Sequence, residues 1–278
     1  MANLFSYQAA LGYKQSSLSF QKVDGQMFIK TDVCPQAGDT ILDLGCGTGD
    51  LSAYLAELVG PNGKVVAVDP DKERILLAQQ SYGNVRNLSF GVEGSASNFP
   101  GIESEMYDII FCNYVIHWIP EKQQLFKNMF ESLKPEGKIA LQYIDYICPF
   151  LSSAFKQLNP ENAERIYEMY HCEERPKIEQ YCSSAGFHIT KSYDKHSIQP
   201  VFQTMDSLLN WLWSSTHGAF DPTLATEERL QRYYPYSSRD GKPPFDFRGI
   251  KEECGVCRLL AVKQGQAEVE TVRKHSRA

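Results

Sequence analysis

The run Ile41-Leu42-Asp43-Leu44-Gly45-Cys46-Gly47-Thr48-Gly49-Asp50 limits the fold of this chain most tightly. Four residues with the apolar character of a buried strand pass straight into a turn with glycine at three alternate positions. A helical pattern follows at once: Leu51, Tyr54, Leu55 and Leu58 share one face, and Asp50 stands where it could cap the helix. Glycine serves two ends here. The turn needs backbone angles that a Cβ forbids, and a ligand can touch bare backbone. The start of the helix then offers unpaired N–H groups to that ligand. The spacing is G-x-G-x-G, not the G-x-G-x-x-G of dinucleotide sites. Asp43, two residues before the first glycine, would repel a pyrophosphate and attract a cation.

The rest of the chain predicts what surrounds this turn. Strands are expected at 40–44, 64–69, 88–92, 107–113 and 139–144, with a turn at 133–138 before the last of these. Helices are expected at about 51–59, 72–81 and 122–133. Short apolar strands alternating with amphipathic helices make a doubly wound parallel sheet. Such sheets bind ligands at the carboxyl ends of their strands. Gly45 to Gly49, Asp69, the loop after the third strand and Asn113 to Trp118 should therefore face one crevice. Asp69, about twenty residues beyond the glycine turn, suits a ribose hydroxyl; a cap on the helix that follows Pro70 is the plainer reading and is compatible with it.

After residue 144 the pattern loosens. Residues 147–172 carry Phe150, Phe155, Ile166, Tyr167 and Tyr170 at helical spacing. A helix at 178–187 and a polar-alternating strand at 188–202 follow. A second insertion spans 205–247, with Leu208, Leu209, Trp211, Leu212 and Trp213 in one aromatic helix. Residues 256–262 make a last strand, expected to run antiparallel. The expected domains are an N-terminal helical lid (1–38), a core (39–263) with cap insertions at about 147–175 and 204–250, and a flexible tail (264–278).

Composition removes several function classes. The net charge is −6, with no basic run before the last few residues, which argues against nucleic acid as the main partner. No apolar stretch is long enough to span a bilayer, and the first residues lack the pattern of a signal peptide. The eight cysteines are scattered and read as reduced thiols of a cytoplasmic protein. Cys254-Gly255-Val256-Cys257 lacks the further ligands of a metal site. No metal is expected, and the expected state is a monomer or weak homodimer.

Asp43-Leu44-Gly45-Cys46-Gly47-Thr48-Gly49 resembles motif I of the class I S-adenosylmethionine (SAM) methyltransferases. The resemblance implies a Rossmann-like seven-stranded α/β fold and SAM as cofactor, with S-adenosylhomocysteine as product. It implies cofactor contacts from Asp43, Gly45, Gly47, Thr48, Gly49, Asp69 and Pro70. Gly94-Ser95-Ala96-Ser97-Asn98-Phe99-Pro100 resembles the loop written G-D-A-x-x-L-P, in which an acid and the next N–H meet adenine. Ser95 stands at the acid's position, and a hydroxyl accepts more weakly than a carboxylate; Glu93 or Asn98 is the alternative. Ala96 keeps the backbone contact. Asn113-Tyr114-Val115-Ile116-His117-Trp118 resembles the N-x-x-x-H-W segment of small-molecule methyltransferases. It implies that Asn113 lies beside the methionine part of SAM and that His117 and Trp118 face the acceptor.

A narrower resemblance joins Ser17-Leu18-Ser19-Phe20-Gln21-Lys22-Val23-Asp24 to the S-x-S-L-Q-K-x-D segment of insect juvenile hormone acid methyltransferases. The layout of Phe220 to Tyr234, Pro235, Asp240-Gly241 and Leu259 to Val262 is similar to that of trans-aconitate methyltransferases. Both families methylate carboxylates, which implies Gln21 and Trp118 as holders of a substrate carboxylate. Tyr7, Tyr13, Tyr143, Phe150, Trp211 and Trp213 complete the expected acceptor pocket, with Phe155 and Phe220 among the insertion aromatics. A carboxylate needs no general base. An amine or phenol acceptor would need one, and His117 is the candidate. A SAM-binding protein without turnover is the third reading.

Overall fold

The computed structural model describes residues 7–17, 21–196, 204–233 and 255–264. Two helices, α1 (Tyr7–Ser17) and α2 (Gln21–Phe28), precede a π-helical turn (Ile29–Val33). Then strands and helices alternate: β1 (Thr40–Leu44), α3 (Asp50–Val59), β2 (Lys64–Val68), α4 (Lys72–Tyr82), β3 (Leu88–Gly91), β4 (Tyr107–Asn113), α5 (Lys122–Ser132) and β5 (Leu133–Ile144). Three helices, α6 (Pro149–Leu158), α7 (Pro160–Met169) and α8 (Arg175–Ser184), lead to β6 (His188–His196). Helices α9 (Met205–Ser215) and α10 (Glu227–Tyr233) precede β7 (Gly255–Val262).

The strands form one seven-stranded sheet in the order β3-β2-β1-β4-β5-β7-β6. β1 pairs in parallel with β2 and β4, and β7 runs antiparallel to both β5 and β6. The order reverses beside β1, so the glycine turn sits at the switch point where such sheets take ligands. β1 is central because Ile41, Leu42 and Leu44 are wholly buried, on alternating faces of the sheet. One face packs on Leu125, Phe126 and Met129 of α5 and Ile178 and Cys182 of α8. The other packs on Phe28, Ile29, Val33, Leu55 and Val59.

The expected order of elements is the observed one, with differences at their ends. Residues 133–138, expected as a turn, belong to the span of β5. The strand expected over 188–202 is described to His196. Residues 234–247 of the second insertion, Cys254 and the tail beyond 264 lie outside the described residues, as do the first six residues, 18–20 and 197–203.

The two insertions share one hydrophobic core. Phe155, Leu158 and Ile166 of the first pack with Leu208, Leu212 and Phe220 of the second. Local sequence starts each helix: Pro149 and Pro160 occupy the first helical turn of α6 and α7, and Thr204 with Ser207 forms a capping box for α9. The Ser16 Oγ lies 3.2 Å from the Ser214 Oγ, which brings α1 against α9.

Beneath the carboxyl ends of the strands lies a buried polar hub. Asp24 of α2, 1 % exposed, accepts from the Tyr114 hydroxyl and the Gln142 Nε2, both at 2.9 Å. Arg258 of β7 reaches Asp24 (3.5 Å) and Asp32 (2.9 Å), and donates to the Gln142 Oε1 at 2.6 Å. Lys195 of β6 pairs with Asp24 as well. Removing one partner of a buried pair leaves an uncompensated charge. Arg258→Met is expected to lower unfolding free energy by about 3 kcal/mol, read from the denaturant midpoint; a loss within the range of a surface substitution would remove the hub from the account of stability.

Candidate functional site

The site grows from the turn after β1. Gly45 and Gly47 adopt φ of 82° and 56°, in the left-handed region that L side chains rarely enter. A Cβ on Gly45 would meet Val115 at 2.2 Å, and one on Gly47 would meet the Tyr13 ring at 3.0 Å. The turn is tied to β2 by the Gly45 and Cys46 N–H groups, which both donate to the Val68 carbonyl. Gly49, not Asp50, occupies the cap position of α3, and it has no side chain to satisfy the first turn of N–H groups. Asp50 lies within the helix and accepts from Lys22, Tyr82 and Thr48.

A cleft opens here, lined by Tyr13, Gln21, Asp43, Gly45, Thr48 and Asn113 among others. Asp43 is buried and accepts from the Ser52 hydroxyl at 2.6 Å. Burial pushes its carboxyl up to about 7; the Ser52 bond opposes this, and the charge of Asp69 adds to it. The wall of this cleft therefore gains by facing a cation. Asn113 accepts from the Gln142 amide at 2.9 Å, which fixes its side chain at the end of β4. The Gln21 Oε1 is buried with no hydrogen-bond partner among the described residues, although the side chain lines the cleft.

Asp69 follows β2, beside Pro70. Its two oxygens accept from the Gly47 and Asp71 N–H groups, each at 2.9 Å. The helix after it is capped by Asp71, which accepts from the Glu73 and Arg74 N–H groups. Asp69 is thus no helix cap, and it faces the glycine turn. In the loop after β3, the Gly94 and Ser95 N–H groups donate to the Asn98 carbonyl, and the buried Ala96 gives its carbonyl to Asn128.

After β4, Ile116–Trp118 forms a single 3-10 turn. Trp118 is half-buried, its ring 4.3 Å from that of Tyr170 and edge-on to His217 at 5.4 Å. His117 is buried and stacks on Tyr170 at 6.0 Å. Burial, with Lys122 and His217 close by, drives its pKa down to about 3, so the ring is neutral at pH 7. Its Nδ1 has no partner among the described residues. A base this weak and this enclosed is poorly suited to take a proton at neutral pH.

The expected acceptor aromatics separate. Tyr13 packs over Gly47 and under the Arg74 guanidinium, 3.9 Å from its ring. Tyr7 is exposed on α1. Tyr143 is buried in the sheet core, where its hydroxyl has no partner among the described residues. Phe155, Phe220 and Trp211 form the core of the cap, with Phe150 and Trp213 packed against it. Their apolar surface is largely spent on one another within the cap. Tyr170, His217, Asp71 and Arg74 reach this region without having been expected there. Tyr170 stood among helical spacings with nothing to distinguish it, and His217 lies about a hundred residues from the Trp118 it touches. Asp145, Asp194 and Cys257 form a group of metal-ligand type, in which the Cys257 thiol donates to Asp194 at 3.4 Å and Arg175 also holds Asp194.

Residues 35–204 match the family model described as a methyltransferase domain. The chain is 34 % identical over 109 residues to a demethylmenaquinone methyltransferase of Lactobacillus johnsonii, across 38 % of this chain and 44 % of the relative. It is 31 % identical over 127 residues to an arsenite methyltransferase of Halobacterium salinarum, across 45 % of this chain and 32 % of that one. A ubiquinone/menaquinone biosynthesis C-methyltransferase of Yersinia enterocolitica is 27 % identical over 174 residues, covering 60 % of this chain and 64 % of its own. The chain thus spans less than half the length of the first two relatives. Among solved structures, the phosphoethanolamine N-methyltransferase 2 of Haemonchus contortus, with SAM bound, superposes with a TM-score of 0.61 at 15 % identity, over 94 % of this chain and 58 % of that one. None of the relatives named here is a juvenile hormone acid or trans-aconitate methyltransferase. No helix among the described residues is long and apolar enough to cross a membrane. A glycine turn at the switch point of a seven-stranded sheet, an acidic cleft suited to a cation, and a family match over 35–204 place this chain in the methyltransferase-domain family, of the SAM-dependent class.

Proposed function

We propose that this protein transfers the methyl group of SAM to a small, partly apolar acceptor, and that the acceptor atom is a carboxylate oxygen. The observation that supports the donor is the buried, electron-rich wall of the cleft. Asp43 sits beside a glycine turn that leaves no room for a Cβ at Gly45. The residues present fit SAM. Asp43, Gly45, Gly47, Thr48 and Gly49 would hold the methionine end with Asn113. Asp69 and Pro70 would hold the ribose, and Ser95 and Ala96 the adenine. When bound, SAM supplies an already activated methyl on a sulfonium. The chain's own residues then have to hold and align the acceptor and keep water out, which supplies on the order of 7–11 kcal/mol in favourable cases.

Gln21 and Trp118 support the carboxylate. Gln21 lines the cleft, where its amide NH2 would be the donor to a carboxylate, and Trp118 is half-buried against Tyr170, with an indole N–H to offer. Neutral donors orient an anion without quenching it as strongly as a guanidinium would. The nearby cations are spent elsewhere, Lys22 on Asp50 and Arg74 on Asp71. A second reading, methylation of a phenol-type or quinol ring, is favoured by the names of the menaquinone relatives. It needs a base, and the buried, neutral His117 weighs against that residue in the role. A non-catalytic SAM-binding protein is the third reading, and Ser95 in place of an acid is its support.

Incubation with SAM and a panel of fatty, terpenoid and tricarboxylic acids, next to quinols and amines, tests the acceptor. Methyl ester formation is expected, and exclusive ring or nitrogen methylation would overturn the carboxylate. His117→Asn is expected to lower kcat by less than about tenfold without moving the pH–rate profile; a large loss with a shifted profile would restore His117 as base. Gln21→Leu is expected to raise the acceptor KM by about tenfold, equivalent to one hydrogen bond to a charged group, with the SAM KM little changed.

Asp43 gives a pH signature. Its carboxyl is raised toward 7 in the free protein and would be lowered by a bound cation. SAM affinity is therefore full above that pKa and falls as pH drops below it, by up to about tenfold per unit. S-adenosylhomocysteine keeps the α-ammonium but lacks the sulfonium charge, and should show a flatter profile. Calorimetric titration of both ligands from acid to neutral pH reads the difference; equal slopes would separate Asp43 from the sulfonium.

A further inference from the structure

We propose that His217 is a positioning residue of the acceptor site: it spans the cofactor crevice from Asp71 to Trp118 and sets the placement of the Trp118 indole according to what occupies the end of β2. This inference rests on the methyltransferase reading and adds to it a residue from the cap.

The argument starts from sheet order. β1 lies between β2 and β4, and the glycine turn rises from its end. Asp71 belongs to the loop that leaves β2, and Trp118 to the turn that leaves β4. The His217 Nδ1 lies 3.6 Å from the Asp71 Oδ2, and its ring meets the Trp118 ring edge-on at 5.4 Å and 84°. A side chain that touches both neighbours of β1 crosses above the turn between them.

Asp71 is more than a contact. It is 3 % exposed and caps α4, and its N–H donates to Asp69. Its Oδ2 also lies 3.4 Å from Arg74, whose guanidinium reaches the Ser214 carbonyl at 3.0 Å. The end of α9 is therefore held to the end of β2 twice, by His217 directly and by Arg74 through Ser214. A ligand on Asp69 acts two residues from this anchor.

The backbone at His217 points the same way. α9 ends with the Gly218 N–H bonded to the Trp213 carbonyl at 2.8 Å, the closing bond of a Schellman turn. The residue before Gly218 then takes the left-handed position, which glycine occupies most easily. Here it is His217, at φ 53°. A strained non-glycine residue kept at such a position points to a use for its side chain. The ring is mostly enclosed, at 14 % exposure. Burial and the neighbouring Arg74 lower its pKa, with Asp71 and Asp69 opposing, so it meets Trp118 as a neutral ring at pH 7.

The strained backbone supplies the test. His217→Gly relieves the strain and removes the bridge, so a merely structural role predicts a protein as stable as the wild type or more so, with an unchanged site. S-adenosylhomocysteine is titrated into the full chain while tryptophan emission and calorimetric heat are recorded. Trp118→Phe identifies the Trp118 component among the three tryptophans. In the wild type, the ligand is expected to change Trp118 emission. In His217→Gly and in Asp71→Asn, which keeps a capping oxygen, this change is expected to fall by about fivefold while affinity moves by less than about threefold. An undiminished emission change in His217→Gly overturns the proposal, as does a wild type that binds without any Trp118 response. Loss of affinity together with emission also overturns it, since His217 would then build the cofactor site. A wild type that does not bind S-adenosylhomocysteine at all instead refutes the methyltransferase reading, and this inference falls with it.

Discussion

The carboxylate of Asp24 is the contact on which the site's geometry depends. It is buried beneath the strand ends and collects donors from four parts of the chain: Tyr114 after β4, Gln142 on β5, Arg258 on β7 and Lys195 on β6. A buried charge of this kind cannot be left half-satisfied, because its desolvation is repaid only if every partner is in place. The consequence is positional. Asp24 lies one helical turn from Gln21, so holding Asp24 down presents Gln21 to the cleft. Gln142, which serves Asp24, also holds Asn113. One electrostatic requirement thereby places residues on two sides of the same crevice.

Much of the fold was legible in the sequence because it follows from local rules. The glycine turn, the apolar strands at their spacing and the helices between them each announce themselves within a few residues. Their order then leaves few sheets to choose from. That Asp43, Gly45, Gly47, Asp69 and Asn113 stand at or just beyond strand ends was legible for the same reason; what they bind is a proposal. The aromatic insertions were harder to read. Period and composition marked Phe155, Trp211 and Phe220 as important, but a pocket wall and a core have the same pattern. Only packing shows that they are largely spent on each other.

What the sequence could not show is long-range. His217 and Asp71 carry no motif, and their meeting depends on how the cap is seated on the sheet. The glycine-like position of His217 has a sequence signal only in retrospect, since a His-Gly pair ending a helix is common enough to pass unnoticed. Capping differs at short range too. Asp50 stood where an acid could cap a helix, and Gly49 took that place. Of the two readings open for Asp69, the cap fell to Asp71 two residues on, while Asp69 accepts from the Gly47 N–H of the glycine turn.

The shared core of the cap has a consequence for how such a protein changes its acceptor. Its two halves come from segments separated by α8 and β6, yet Phe155 and Phe220 bury one another's surroundings. Neither half has a complete apolar interior without the other. Exchange of one segment for that of a relative would leave mismatched volumes across the joint. New selectivity in this architecture is therefore expected to arise by paired replacement of both segments, or by single changes at the few cap residues, such as Tyr170 and His217, that face the strand ends.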